Sequence, residues 1–77
     1  MIELVKHIVT PIVEFPTQIE IREVEGEKST IIELKVAESD LGKVIGKQGR
    51  TAKAIRTLLS AASARAGKRY SLEIVEK

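Results

Sequence analysis

The chain has no cysteine, no tryptophan, and only two aromatic residues from the Phe/Trp/Tyr set, Phe15 and Tyr70. Without cysteine there is neither a disulfide framework nor a thiolate metal site, so one core must hold unaided. At 77 residues the chain is one small domain, 1–77, near the lower size at which a core alone suffices. No apolar run approaches the length of a membrane span. The opening stretch, MIELVKHIVTPIV, is interrupted by Glu3, Lys6 and His7, unlike a signal peptide. The expectation is a soluble cytoplasmic protein with no membrane contact. Catalytic chemistry is also poorly provided for. Thr51 and Ser60 have no neighbouring base, and the single histidine, His7, sits among helix residues as a surface or boundary group. Glu20, Glu23, Glu25 and Glu27 form an acidic patch without the staggered spacing of a calcium loop. Neither an enzyme nor a cofactor is expected.

The most informative absence is of acid. Residues 1–40 carry nine acids and four Lys/Arg, whereas residues 41–77 carry nine Lys/Arg and two acids. Between Leu41 and Leu72 there are eight basic residues and no acid. Clustered like charge repels itself, so such a half-chain suits a polyanion-facing side; a solvated basic helix is the plainer alternative.

What the chain does have is Ile, Leu and Val in regular patterns. Ile2, Val5, Ile8, Val9, Ile12 and Val13 follow helical spacing, predicting a helix over 2–13 that Pro11 kinks or converts into a short second turn. Gln18–Glu25 reads as a strand with Ile19 and Ile21 on one face. A polar turn at Gly26 joins it to Ser29–Val36, where Ile32, Leu34 and Val36 share a face. The pair forms an antiparallel hairpin. Ser39 is placed to cap a short helix over 40–45, with Asp40 near its positive end. A longer helix follows from Arg50 to Ala66 and stops at Gly67, and 70–75 forms a last strand. The order αββααβ joins the last two strands by a helical crossover, which makes them parallel. The expected fold is α+β, a three-stranded mixed sheet covered on one face by three helices.

Between the two later helices lies the stretch VIGKQGRTAKAIR, residues 44–56. Its glycines lack the spacing of a Walker loop, and Lys47 is followed by Gln48 rather than by a hydroxyl for magnesium. The first Gly-x-Gly step of a dinucleotide fingerprint is missing as well. What remains is Gly-x-x-Gly at Gly46, Lys47, Gln48 and Gly49. Taken alone, this spacing equally describes a turn that merely breaks a helix. A turn without Cβ atoms lets a sugar-phosphate backbone approach, and the helix start behind it carries partial positive charge. Lys43, Arg50 and Lys53 flank it, while Arg56 lies almost two turns further on. A strand–helix–turn–helix–strand unit around such a loop is the arrangement of the KH nucleic-acid-binding module.

In DLGKVIGKQGRTAKAIRTLLSAA, together with TPIVEFP, GKRYSLEI and the overall length, the chain resembles the KhpA family of small bacterial RNA-binding proteins. These are single KH domains of the type II arrangement. The resemblance implies that Gly46–Gly49 clamps the backbone of single-stranded RNA and that Ile45 anchors the short helix in the core. It implies a groove walled by the second strand and the loop before the last one, where Lys68 and Arg69 supply a second phosphate contact. With so few aromatics, bases rest on aliphatic side chains, giving modest affinity and weak sequence preference. The family also implies homodimers, a larger KH partner of the Jag/EloR type, a role as RNA chaperone or post-transcriptional regulator, and links to cell elongation, shape and envelope control.

The long helix carries more apolar residues than one core stripe needs. Ala52, Ile55, Leu59, Ala62 and Ala66 suit the sheet. Ala54, Leu58 and Ala61 form a neighbouring face, which is either buried too or a dimer contact. Arg65, near the helix end, favours the dipole there. The alternative function is a protein-interaction module for the KH partner, with RNA contact incidental. The absence of acid at Lys47 and Gln48 speaks against it.

Overall fold

In the computed structural model, which describes residues 1–75, helical periodicity and β-alternation sort the apolar residues onto one shared core. Helix α1 spans Ile2–Val9 and buries Val5 and Val9. It ends earlier than the apolar spacing suggests. Pro11 has no amide to continue the ladder, and the chain instead makes a turn in which Ile12 and Val13 donate to the Val9 carbonyl at 2.9 and 3.2 Å. That turn still delivers Val13 to the core.

A 3-10 turn over Pro16–Gln18 leads into β1, Glu20–Glu25, shorter at its start than the predicted strand. Strand β2, Ser29–Lys35, returns antiparallel after Gly26, whose amide donates to the Ser29 carbonyl at 2.7 Å. Helix α2 is Leu41–Ile45, helix α3 is Arg50–Ala66, and β3 is Arg69–Ile74. The sheet order is β1-β2-β3 with β3 parallel to β2, as the crossover requires. The chain is thus an α+β domain with a three-stranded mixed sheet and three helices.

The helices share one face of the sheet because alternation puts Ile32, Leu34 and Leu72 there against Val5, Val9, Val44, Ile55 and Leu59. The opposite face carries Arg22 and Glu33, paired at 2.7 Å, with Val24 opposite Ile31. Thr30 also points to the helix side. It is fully buried, and its hydroxyl has no hydrogen-bond partner among the described residues.

One expectation about α2 is corrected, the Ser39 cap, while Asp40 does lie at the helix start. Ser39 lies inside a 3-10 turn over Glu38–Asp40 and caps nothing; the residue before α2 is Asp40, which makes no side-chain cap either. Its carboxylate, fully buried, instead accepts the amides of Glu14 and Phe15 at 3.0 and 2.9 Å. Burial raises the Asp40 carboxyl, but those two amides and the Lys43 ammonium outweigh it and hold the group below the ordinary carboxylate value. The bond reaches across the fold and ties the α1–β1 connection to the start of α2.

No helix among the described residues is long and apolar enough to cross a membrane.

Candidate nucleic-acid interface

The site begins with backbone geometry at the α2–α3 junction. Gly46 sits at φ 80°, ψ 168°, a region essentially closed to side chains, and a Cβ there would fall on the Thr51 side chain and amide. Gly49 sits at φ 74°, ψ 13°, in the left-handed region. Its amide closes the turn on the Gly46 carbonyl at 3.0 Å. Gln48 lies between them at φ 58° and is the one non-glycine residue with positive φ among those described. A long side chain held there is strained, the kind of departure that concentrates at functional loops. Lys47 and Gln48 at the tip are both exposed. The loop therefore presents main chain, one ammonium and one amide at the positive end of the 17-residue α3.

Helix α3 has three distinct sides. Ala52, Ile55 and Leu59 are buried against the sheet. At about 100° per residue, Arg56, Ser60 and Ser63 lie on one flank, and Ala54, Leu58, Ala61 and Arg65 lie on the other, roughly opposite. The first flank faces β3. Between them runs a groove of about 340 Å³ lined by Ile45, Gly49, Ala52, Arg56, Leu72, Glu73 and Ile74. It opens directly beside the glycine turn.

The groove wall differs from expectation. β2 is the central strand, hydrogen-bonded on both sides, so it cannot supply an open wall. The wall is β3, the edge strand. Val75 donates to the Leu34 carbonyl at 2.8 Å, which sets the register: alternate residues of β3 pair with β2, and Tyr70, Leu72 and Ile74 turn their amides outward. The Tyr70 amide is taken by Ser63 Oγ at 2.9 Å, and that hydroxyl donates in turn to the Leu59 carbonyl at 2.8 Å. Leu72 and Ile74 thus offer backbone donors and acceptors along the groove. Ile45 is corrected as well. It is half-exposed and lines the groove, while its neighbour Val44, fully buried, anchors α2.

The basic residues divide. Lys47, Arg50 and Lys53 are exposed around the turn, next to Gly46, Gly49 and the equally exposed but uncharged Gln48. Lys43 is drawn back toward Glu14 at 3.4 Å and Asp40 at 3.7 Å. Lys68 and Arg69 follow the far end of α3, roughly 25 Å along its axis from the turn. Lys68 is bound to Glu25 at 3.0 Å and stands over the Tyr70 ring. The Glu25 hydrogen bond raises the Lys68 ammonium pKa, against the smaller opposing effect of burial. Arg69 is exposed at the base of β3. Sequence reasoning did not find Thr51 beneath Gly46, nor Leu72, Glu73 and Ile74 in the wall; the alternation of 70–75 marks a strand but not that it lies at an edge.

The other flank of α3 is open. Ala54, Leu58 and Ala61 are exposed, with Leu58 at 48%. The sheet-facing stripe is shorter than predicted: Ala62 is half-buried and Ala66 exposed, because α3 runs past the sheet's cover at its last turn.

A βααβ core with a Gly-x-x-Gly turn between its helices, preceded by an extra helix and strand, is a KH domain of type II. The family described as KhpA/KhpB, KH domain, matches residues 2–74, and the chain belongs to it. Among its relatives is an "RNA-binding protein KhpA" from Borreliella burgdorferi, 49% identical over 75 residues, covering 97% of this chain and 92% of the relative. Another, from Caldanaerobacter subterraneus subsp. tengcongensis, is 55% identical over 73 residues, covering 95% of this chain and 97% of its own. A third, from Clostridium acetobutylicum, is 51% identical over 75 residues, covering 97% of this chain and all of its own. Each of these three carries the name "RNA-binding protein KhpA". Membership makes the chain a binding module rather than an enzyme.

Proposed function

We propose that this chain is a cytoplasmic, non-catalytic RNA-binding protein that holds single-stranded RNA by its sugar-phosphate backbone at Gly46–Gly49. The observation that carries the reading is a turn that presents main chain and Lys47, opening straight into a groove with a free strand edge. Phosphates meet the turn amides, Lys47, Gln48, Arg50 and Lys53, and the bases lie toward Ile45, Leu72 and Ile74. Lys43, Lys68 and Arg69 act secondarily. Lys43 and Lys68 must first leave Glu14 and Glu25, a small obstacle because exposed ion pairs are weak. A short, aliphatic groove gives modest affinity and weak sequence preference, which suits an RNA chaperone or post-transcriptional regulator.

The exposed flank with Ala54, Leu58 and Ala61 supports a second property: pairing with another copy or with a larger Jag/EloR-type KH protein. Small residues let helices approach closely, and an isologous contact would cover Leu58 twice. Since this flank lies opposite the groove, pairing and RNA binding are compatible.

The deciding experiment is the double change Lys47→Asp/Gln48→Asp, checked for folding by circular dichroism and then for binding to an unstructured RNA. Loss of binding in a folded protein is expected; unchanged affinity overturns the clamp. In the unaltered protein, contact with about three to five phosphates gives a slope of log affinity on log salt of roughly −2 to −3.5.

A further inference from the structure

Glu73 is at odds with a polyanion clamp. It lines the groove beside the glycine turn and is the only acid between Leu41 and Val75. Alternation puts it on the side of β3 turned from the helices, at the groove's outer lip. Its ladder neighbour is Glu33, whose carboxylate is already held by Arg22 at 2.7 Å. The described residues give Glu73 no ion-pair or hydrogen-bond partner, so it stands exposed next to a like charge.

A carboxylate in that place does two things. It repels phosphate from the β3 lip, so the backbone is confined to the side with Lys47, Arg50, Lys53 and Arg56, and the bases turn toward β3. An ionised carboxylate is also an acceptor with no donor of its own. Among the four bases, guanine alone presents two adjacent donors, N1–H and the 2-amino group, on its Watson–Crick edge. Cytosine and adenine each present an amino donor beside an acceptor. Uracil presents one imino donor between two carbonyl oxygens, which a carboxylate repels.

Building on the RNA-clamp reading, we propose that Glu73 is a specificity-determining residue that favours guanine in the groove by accepting both of its donors. The preference is superimposed on weak overall selectivity, because the rest of the wall is aliphatic side chain and main chain. Bidentate pairing at an exposed lip gives a discrimination of about tenfold over uracil.

The test uses the full chain and fluorescence anisotropy with an eight-nucleotide uridine RNA, compared with versions holding one central guanine, inosine, cytosine or adenine. The expected order is guanine first, then cytosine and adenine, then uracil. Inosine falls below guanine, since it lacks the 2-amino donor. Glu73→Gln keeps the shape but removes the charge and one acceptor; it brings the guanine-to-uracil ratio close to one while uridine binding persists or tightens. The milder Lys47→Ala weakens every RNA and leaves that ratio alone. An unchanged ratio in Glu73→Gln overturns the proposal, as does an equal loss for all RNAs, which would make Glu73 structural. A protein that binds through the turn without discriminating bases overturns this inference alone. One that binds none of the RNAs overturns the clamp reading with it.

Discussion

Gly46 and Gly49 both have positive φ, yet their surroundings predict different costs for the same substitution. An alanine at Gly46 must occupy a region that costs a side chain about 1–3 kcal/mol. Its Cβ would also come within 2.7 Å of Thr51 Cβ and 2.8 Å of the Thr51 amide, both on the first turn of α3. Neither is the free end of a flexible chain, so the turn or the helix start must shift, at about 1–3 kcal/mol for overpacking. The two together give about 2–6 kcal/mol. Gly49 has nothing within 4 Å of an added Cβ. Its left-handed backbone costs about 1–2 kcal/mol, offset by about 0.4–1 kcal/mol from the stiffer unfolded chain. Gly49→Ala therefore loses about 1 kcal/mol. At about 4–8 °C per kcal/mol for a domain of this size, Gly46→Ala lowers the melting temperature by about 10 °C or more, and Gly49→Ala by about 4–8 °C. Urea titration with an unchanged slope on denaturant checks that only stability has moved. Adding Thr51→Ala to Gly46→Ala removes the hydroxyl from the overlap and restores part of the loss. Equal costs at the two glycines, or a larger cost at Gly49, would refute the reasoning.

Thr30→Val removes a buried hydroxyl that lacks a partner while keeping the shape, so it raises stability by about 1 kcal/mol in urea titration; a loss would mean that the hydroxyl is satisfied. Asp40 has a lowered folded pKa, so its contribution is present above the unfolded value near 4 and disappears as pH falls through the folded one. Asp40→Asn is accordingly less stable at pH 7, and its melting temperature falls less steeply on acidification from pH 5 to 2 than that of the unaltered protein. Parallel acid profiles for the two would contradict the assignment. The proposed pairing through Leu58 predicts that the unaltered protein is dimeric in light scattering and that Leu58→Lys is a folded monomer; a monomeric unaltered protein, or a variant that is still dimeric, contradicts it.

Much of this molecule can be read along the chain because its determinants are local. Alternation in Ser29–Val36, helical spacing behind Arg50 and glycine at positions 26, 46, 49 and 67 specify elements and turns through interactions a few residues long. The crossover between β2 and β3 follows from the same order, since a helical pair between strands leaves a parallel partner as the compact solution. The acid-free second half and the Gly-x-x-Gly spacing mark the candidate clamp for the same reason, as a turn's chemistry is written in its own residues.

Other features depended on which surfaces meet. Asp40 looks like a helix-start residue in sequence, but its carboxylate finds amides 25 and 26 positions earlier. Ile45 and Val44 are adjacent and equally apolar; only the placement of β3 decides that Val44 is enclosed and Ile45 faces the groove. Leu58 is exposed because it lies on the flank of α3 turned from the sheet, and Ala66 because the helix runs past the sheet's cover. Glu73 becomes a groove residue through the strand order alone. The sequence by itself determined the elements, their order and the basic turn, through local backbone and side-chain preferences. The groove wall, the buried carboxylate and the two opposite flanks of α3 were decided by tertiary packing, because each is a relation between segments that the chain keeps far apart.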